Sequence, residues 1–510
     1  MNQIIEILMV TAYVIPATVL VLFGFNLYFM LVLFGRRRGQ AKAEVQRIMG
    51  EFDKQGAIDR LPAVVTQIPI YNELNVVERV LRAAVAMDYP KGLHTVQVLD
   101  DSNDETCCVI DQVAAELQRE GHLIEVIRRD NRVGFKAGAL NLGLEKTDAE
   151  LIAIFDADFV PSKDFLLQTV PVLMMRQDVG LVQARWGHLN SNHSLITRAQ
   201  GVGIDGHFAI EQSARAWNNL FMNFNGTAGM WRRQAIEDAG GWEHDTLTED
   251  MDLSYRAQLA GWAPFYLSDL VVPAELPESI NAFKSQQFRW AKGSIQTALK
   301  LLPRVMRSDA SWLAKVQSVF HMTHYIIHPI MVWLAFLALP LLLFTEISQS
   351  PWLVFVLFTC IILSALSPLS LYATSQMILY PKGWRRLRYL PILSCIGVGI
   401  AISNSRAVIE ALLGKDSPFV RTPKKGDATR IHYRVKMPYV AILEVILGVY
   451  CFVSLAYYFH AKTYVIGPFL LLYAMGFFAV GCLSIAHTFQ ERRSNSVSAP
   501  LPEADPVPGI

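Results

Sequence analysis

The chain has 510 residues, of which 52% are hydrophobic and 18% are charged, and its formal net charge is +1. This composition is too apolar for an average soluble protein and too charged for a bundle of membrane spans alone. The polar part has no concentrated basic face, which argues against a nucleic-acid partner. Its six cysteines have no metal-type spacing and predict neither a zinc site nor a disulfide framework.

An uncharged segment at 8–34 is followed at once by Arg36, Arg37 and Arg38. It is long enough to cross a hydrocarbon core of about 30 Å. Because basic residues prefer the cytoplasmic side, we predict a transmembrane helix at 1–39 that enters the cytosol at its end. A cleaved signal peptide is the alternative, but the apolar run is too long and the arginines follow it.

Mixed strand and helix patterns predict a cytosolic domain at 40–275. It is followed by amphipathic interfacial helices at 276–315 and by a membrane region at 316–490 with five further apolar segments. The tail at 491–510 is rich in Ser, Pro and Ala and is predicted to be disordered. The polypeptide is therefore expected to cross the membrane several times.

Charge reduces the expected number of spans from six to five. The loop at 382–388 and the stretch at 415–436 are both basic and both favour the cytosol. One crossing cannot separate two cytosolic loops, so we predict that 388–413 is a helix that lies at the cytosolic interface or dips into it. The polar residues Asn404, Arg406 and Glu410 agree with that placement.

The cytosolic domain opens with a β-branched strand that passes through Pro69 and ends before Tyr71, Asn72 and Glu73. Ligands of open α/β sheets bind outside the carboxyl ends of strands, so these residues are candidate ligands. The structural alternative is that Asn72 caps the following helix, predicted at 76–86.

The next units of the predicted sheet carry further polar groups. A strand at 95–99 precedes Asp100 and Asp101, whose carboxylates can hold a base or a ribose hydroxyl. A glycine-bearing turn at 134–141 contains Lys136, which can reach a phosphate as a point charge. Its spacing matches neither a nucleotide-hydrolysing P-loop nor a dinucleotide fingerprint.

A wholly apolar strand at 151–155 is predicted to be buried, and Asp156 and Asp158 follow it. Two carboxylates one residue apart can share a hard divalent cation that bridges a diphosphate. Solvated aspartates in a turn are the alternative.

A helix is predicted to begin in the acidic segment 246–252, which opens with Thr246, and to run to about Leu259. Thr246 and Glu249 match a capping box, which is a purely structural interpretation. A carboxylate here can also be the base that deprotonates an attacking hydroxyl. Asp250 is our candidate for that base, ahead of Glu249, and Asp252 is expected to interact only with the helix dipole.

The series Asp101, Asp156-Ala157-Asp158, Thr248-Glu249-Asp250 and Gln286-x-x-Arg289-Trp290 resembles the processive membrane synthases of glycosyltransferase family 2, in the cellulose synthase superfamily. Longer runs at 98–102, 136–140, 154–159, 180–186 and 224–229 resemble most the cellulose synthase-like A proteins, which are β-mannan and glucomannan synthases. The resemblance covers residues 60–490. It implies a GT-A type, Rossmann-like α/β domain inserted between transmembrane helices of a polytopic protein.

The resemblance also implies an activity and a location. The chain is expected to transfer a hexose, with inversion, from UDP-glucose or GDP-mannose to a growing β-glucan or β-mannan that crosses the membrane. Asp250 is the implied base, and Mg²⁺ or Mn²⁺ is implied at Asp156 and Asp158. An integral plasma (inner) membrane location is expected, with the catalytic domain in the cytosol and lipids as partners.

Specific residues are implied for each substrate. The implied ligands of the nucleotide sugar are Pro69, Tyr71, Glu73, Asp101, Lys136, Asp156, Arg289, Thr422 and Lys424. The implied acceptor residues are Asn225, Gly226, Thr227, Glu249, Gln286 and Trp290. The run 419–424 resembles a gating loop within 388–436, although Arg421 stands where that loop often has valine.

Two other functions compete with polymer synthesis. The Gln-x-x-Arg-Trp motif also resembles that of lipid-glucosylating relatives, so it does not exclude a glycolipid synthase. The gating-loop resemblance and the multi-span half favour a polymer. A non-enzymatic channel with a nucleotide-binding domain is disfavoured, because separate metal-type and base-type carboxylates are present.

Overall fold

The computed structural model describes residues 2–56, 60–344, 351–415, 439–462 and 464–497. The expected donor ligands Thr422 and Lys424, and the gating-loop run that contains them, lie outside the described residues.

A long first helix leads into a compact α/β domain. The helices of this half are α1 (Asn2–Lys54), α2 (Val77–Val85), α3 (Thr106–Arg119), α4 (Phe135–Glu145), α5 (Phe165–Met175), α6 (Leu195–Gly206), α7 (Ser213–Trp217), α8 (Arg233–Asp238) and α9 (Glu249–Leu259). A π-helical turn, His207–Gln212, joins α6 to α7.

The domain is built on one mixed sheet. Its strands are β1 (Val64–Ile70), β2 (His94–Asp100), β3 (Ile124–Arg128), β4 (Leu151–Ile154), β5 (Val179–His188), β6 (Gly229–Arg232) and β7 (Ala263–Ala274), in the order β3-β2-β1-β4-β6-β5-β7. The first four strands pair in parallel, whereas β6 is antiparallel to both β4 and β5. The predicted GT-A type fold is confirmed, with a mixed sheet.

Strand β4 shows why the sheet is buried on both faces. Leu151 and Ala153 belong to the hydrophobic core on one face, and Ile152 and Ile154 to the core on the other. Successive side chains of a strand point to opposite faces, so a strand covered on both sides is apolar throughout. Polar residues therefore begin where β4 ends, which places Asp156 at the carboxyl edge of the sheet.

The second half of the chain is helical. Its helices are α10 (Ile280–Arg307), α11 (Trp312–Thr323), α12 (Ile327–Phe344), α13 (Pro351–Leu379), α14 (Leu390–Gly399), α15 (Ala401–Leu412), α16 (Tyr439–His460) and α17 (Gly467–Val497). Short 3₁₀ turns occupy His324–Ile326, Gly383–Tyr389 and Tyr464–Ile466.

Within the described residues, five helical segments are long and apolar enough to cross a membrane: Ile4–Lys54, Trp312–Phe344, Phe358–Leu379, Tyr439–His460 and Gly467–Gln490. The chain is therefore a multi-pass membrane protein by length and composition. The segment predicted to be interfacial, 388–413, forms α14 and α15, which meet at a bend of 42° and together could make a broken span or a re-entrant segment. Its interfacial position stays a prediction.

Several predicted boundaries fall inside helices. Helix α1 continues without a break past residue 39, and its buried Ile48 and Phe52 join the core of the sheet. Residue 315 lies within α11, and α17 extends past residue 490 to Val497. One continuous helix therefore connects the first apolar segment to the α/β domain.

Helix α10 connects the α/β domain to the membrane helices through two buried lysines. Lys284 Nζ lies 2.7 Å from Glu444 Oε1 on α16, and both side chains are almost fully buried. Lys292 Nζ lies 3.4 Å from Glu410 Oε2 on α15 and donates to the Lys415 carbonyl oxygen at 2.5 Å. Separating such a pair leaves a buried charge without its partner, which is energetically costly. These contacts therefore fix the position of α10 on the membrane helices.

We predict that Lys284→Met lowers stability by about 3–5 kcal/mol, because Glu444 keeps a buried charge without its partner. The measurement is thermal unfolding of the detergent-purified protein. The double variant Lys284→Met/Glu444→Leu is expected to recover most of the loss. The matched control is Lys42→Met, which removes the more exposed Lys42–Asp269 pair at 3.1 Å. Equal effects of the two single variants would contradict the prediction.

Candidate active site

The candidate site lies at the carboxyl edge of the sheet, where α4, the turn after β4, the loop at 225–227 and the start of α9 meet. Lys136 joins three of these segments. Its Nζ donates to Asp156 Oδ1 at 2.5 Å and to the Gly226 carbonyl oxygen at 2.8 Å. The two residues before it, Gly134 and Phe135, adopt left-handed backbone angles, φ 73° and 47°, as α4 begins.

The charge of Lys136 is held by its surroundings. Burial alone would lower the pKa of the ammonium, but Asp156, Glu249 and Asp250 outweigh that effect, and the net shift of the pKa is upward. The cation is therefore a permanent counter-charge to the three carboxylates.

Asp250 lies beside the loop at 225–227. A Cβ added to Gly226 would lie 3.0 Å from Asp250 Oδ2, and Gly226 has φ 80°, so glycine suits this position on both counts. Asp250 Oδ1 accepts a hydrogen bond from the Met251 amide at 2.7 Å. Burial, together with the charge of Glu249, raises the pKa of Asp250 to about 7. A carboxylate with this proton affinity is suited to general base catalysis near neutral pH.

Helix α10, rather than a capping box, holds the start of α9. Thr248 is the N-cap residue, and its side chain caps no α9 amide; its hydroxyl lies 3.1 Å from that of Thr297. The Leu247 amide donates to Gln296 Oε1 at 3.0 Å, and a Cβ on Gly293 would come within 2.6 Å of Thr248 Cγ2. The capping box that Thr246 and Glu249 match, which was the structural alternative, is not formed, and long-range contacts with α10 hold the start of α9.

Arg289 of α10 adds a second cation to the site. Burial lowers the pKa of its guanidinium to about 10, while Glu249 and Asp156 act in the opposite direction. Burial also raises the pKa of Glu249, and Lys136 and Arg289 oppose that rise. The arginine of the Gln-x-x-Arg-Trp motif therefore faces the same carboxylates as Lys136.

Asp252 lies in the first turn of α9, as predicted, but its contacts extend beyond the helix dipole. It is fully buried, with one carboxylate oxygen 2.6 Å from Arg256 Nη2 and the other 2.9 Å from Lys300 Nζ. The expectation that Asp252 interacts only with the helix dipole was therefore wrong, because it also forms buried ion pairs. Together with Glu243 and Asp245 it forms a close acidic group, but Lys300 contacts all three carboxylates, so this group is a structural ion-pair network.

Asp156 and Asp158 fit a divalent cation that takes further ligands from a diphosphate. The side chain of Asp156 is 35% exposed and that of Asp158 is mostly buried, so the pair borders the open edge of the sheet. The Asp156 amide donates to Thr227 Oγ1 at 2.8 Å, which fixes the turn. Mg²⁺ is often bound by only one or two protein carboxylates, with substrate phosphates as further ligands. The two carboxylates of Asp156 and Asp158 match that set of protein ligands.

A second group of predicted ligands lies beyond β1 and β2. Asp101 accepts two hydrogen bonds from Arg129, at 2.7 and 2.6 Å, and the Arg132 guanidinium lies 3.3 Å from the centre of the Tyr71 ring. Neither arginine was predicted from the sequence to be a site residue, although the basic residues at the end of β3 and after it indicated positive charge there. Asn72 does not cap α2; its side chain is hydrogen-bonded to Asn103.

Two further predicted ligands, Pro69 and Glu73, are each two residues from Tyr71 in the chain. Pro69 is opposite Leu99 in the register of β1 and β2, and the Glu73 carbonyl oxygen accepts from the amides that begin α2. Their contact with a nucleotide sugar stays a prediction.

The expected acceptor residues are partly brought together. Trp290 lies 6.5 Å from Trp186, centre to centre, and Gln286 is one helical turn earlier on α10. Gly226 adjoins Asp250, and Asn225 precedes it in the same loop. Thr227 is fully buried with its hydroxyl bonded to the Asp156 amide, which fits a residue that supports the loop better than one that touches an acceptor.

Comparison with known proteins identifies the family. Residues 62–293 match the family model described as "Glycosyltransferase like family 2". Glucomannan 4-beta-mannosyltransferase 2 of Arabidopsis thaliana is 40% identical over 311 residues, which cover 59% of this chain and 58% of that protein. Probable glucomannan 4-beta-mannosyltransferase 10 of the same plant is 34% identical over 441 residues, covering 82% of this chain and 77% of the relative.

Among solved structures, a mannosyltransferase from Pyrobaculum calidifontis in complex with GDP-Man and Mn²⁺ is 19% identical, covers 76% of this chain and 99% of its own, and has a TM-score of 0.46. That likeness is too distant to say anything about the ligands of this chain. The sequence relatives carry the assignment: the chain belongs to the membrane hexosyltransferases of glycosyltransferase family 2 that include the glucomannan 4-beta-mannosyltransferases.

Proposed function

We propose that this protein transfers mannose from GDP-mannose, with inversion, to the end of a growing β-mannan or glucomannan chain. The observation that carries the proposal is the position of Asp250, which has a pKa of about 7 and lies against the loop at 225–227. The names of the relatives favour mannose over glucose. UDP-glucose is kept as the second donor to be tested.

In the proposed reaction, Asp250 accepts the proton of the acceptor hydroxyl as that hydroxyl attacks the anomeric carbon. Attack from the side opposite the diphosphate turns an α-linked donor into a β-linkage. Lys136 and Arg289 provide positive charge where the leaving diphosphate develops negative charge. When bound by Asp156 and Asp158, Mg²⁺ or Mn²⁺ would neutralise the same leaving group.

An acceptor path toward the membrane is supported by the aromatic residues near α10. Trp290 offers a ring face on which the apolar face of a pyranose can stack, and Trp186, which packs on Phe208, lies 6.5 Å from it. Helix α10 packs against α15 and α17, so these rings lie next to the helices of the membrane half. We therefore propose that the polymer is extended processively and passes through those helices, with the α/β domain in the cytosol beneath the plasma membrane.

The transfer reaction itself is tested with the purified full chain in lipid nanodiscs, given radiolabelled GDP-mannose or UDP-glucose and Mg²⁺ or Mn²⁺. We expect an ethanol-insoluble product from GDP-mannose that β-mannanase digests. EDTA is expected to abolish its formation and added metal to restore it. A chloroform-soluble product carrying a single sugar would instead show a glycolipid synthase and contradict the polymer proposal.

The role of Asp250 is tested by Asp250→Asn, which preserves the shape of the side chain and its bond to the Met251 amide. We expect kcat for transfer to fall by about 10²–10⁴-fold, the range that a general base contributes. The Kd of the donor, from equilibrium binding, should stay near the wild-type value. Asp245→Asn is the matched control, since Asp245 is a partly exposed aspartate on the preceding loop that pairs with Lys300. Normal turnover in Asp250→Asn would refute the assignment.

A further inference from the structure

The π-helical turn His207–Gln212 contacts the loop at 225–227 from the side of the membrane helices. A π turn contains one residue more than an α-helical turn, because its hydrogen bonds run from i to i+5. Such turns are rare and occur frequently at functional sites. None of its residues belongs to the site described so far. Two of them, His207 and Gln212, contact one side chain of that loop, Asn225, and a third, Glu211, pairs with His207.

The Asn225 amide is contacted at both of its ends. Gln212 Nε2 donates to Asn225 Oδ1 at 2.5 Å, and Asn225 Nδ2 lies 3.4 Å from His207 Nε2. The other ring nitrogen of His207, Nδ1, lies 2.8 Å from Glu211 Oε2. We call these three residues, His207, Glu211 and Gln212, the amide clamp.

The clamp fixes which way the amide points. An ionised carboxylate only accepts hydrogen bonds, so His207 donates from Nδ1 to Glu211, and in the neutral imidazole this tautomer has a lone pair on Nε2. That lone pair can accept only from the Asn225 NH₂ group, while Gln212 supplies the donor that Oδ1 requires. One N–H and one lone pair of the amide remain available to a further partner, in a defined orientation.

The surroundings of the clamp suit a sugar. The side chains of His207 and Glu211 are 33% and 27% exposed, so the pair is accessible and not part of the core. Phe208, the next residue in the turn, stacks on Trp186 with the ring centres 4.7 Å apart. The centre of the Trp186 ring lies 6.5 Å from that of Trp290. Polar groups of fixed direction beside aromatic faces match a pyranose, which presents hydroxyls at its edge and an apolar face.

Asn225 directly precedes the residue of the loop that lies against the proposed base. The following residue, Gly226, is the one whose Cβ would meet Asp250 Oδ2. A hydrogen bond from a fixed Asn225 amide can therefore orient an acceptor sugar with its attacking hydroxyl toward Asp250. Misplacement of reacting groups by about 1 Å can cost 10²-fold in rate, so the direction of this amide affects catalysis.

We propose that His207, Glu211 and Gln212 are positioning residues that hold the Asn225 amide to bind a hydroxyl of the acceptor sugar, which is a neutral pyranose at the end of the growing chain. The inference rests on the proposed function and adds to it the residues that orient the acceptor. It predicts that the clamp affects transfer to sugar and leaves donor hydrolysis by water unchanged.

The test compares two rates in each variant of the full-length protein in nanodiscs: sugar transfer to polymer and hydrolysis of the same donor by water. In His207→Ala we expect the ratio of transfer to hydrolysis to fall by about 10-fold or more, with the KM of the donor unchanged. In His207→Gln the amide oxygen can accept from Asn225 in place of Nε2, so most of the ratio should be retained. Glu211→Ala should lower the ratio by a smaller factor.

The matched control is His193→Ala, because His193 also pairs with a glutamate, Glu278 at 2.9 Å, but is 64% exposed and makes no contact with Asn225. Its ratio should equal that of the wild type. A His207→Ala protein that loses transfer and hydrolysis equally, or keeps the wild-type ratio, overturns the positioning role while the proposed function stands. A wild-type protein that transfers sugar from neither donor overturns the proposed function and the inference with it.

Discussion

The ammonium group of Lys136 is the contact on which the candidate site depends. It holds Asp156 and the Gly226 carbonyl oxygen together and compensates carboxylates that would otherwise repel one another in a partly buried space. The same charge lowers the pKa of Asp250 and so opposes the rise caused by burial and by Glu249. The balance leaves a base that titrates near neutral pH.

Helix α10 contacts both the candidate site and the membrane helices, and so fixes the position of one relative to the other. Over its 28 residues it contacts the start of α9 through Gln296 and Gly293, presents Arg289 to the carboxylates, and is bound to the membrane helices through Lys284 and Lys292. The proposed base, the aromatic residues and the membrane helices therefore keep a fixed relation to one another. Such a relation is what a synthase needs if each added sugar is to move toward the same exit.

Local sequence pattern predicted the parts of the fold and site that local chemistry determines. The apolar run of β4 followed by Asp156 indicated a buried strand with carboxylates at its edge. Long-range partners could not be predicted in this way: Asp252 meets Lys300 forty-eight positions later, and Thr248 meets Thr297. The antiparallel β6 and the π turn likewise depend on tertiary packing, because their sequences show no periodicity that distinguishes them.

The pH dependence of kcat/KM for transfer, measured in the wild type and in Glu249→Gln, tests most directly whether Asp250 is a base set by its charged neighbours. The base must be deprotonated to act, so activity should rise with pH through about 7. Removing the Glu249 charge, which raises the pKa of Asp250, should move that rise to lower pH. A profile without a rise near neutral pH, or one that is identical in the two proteins, would contradict the assignment.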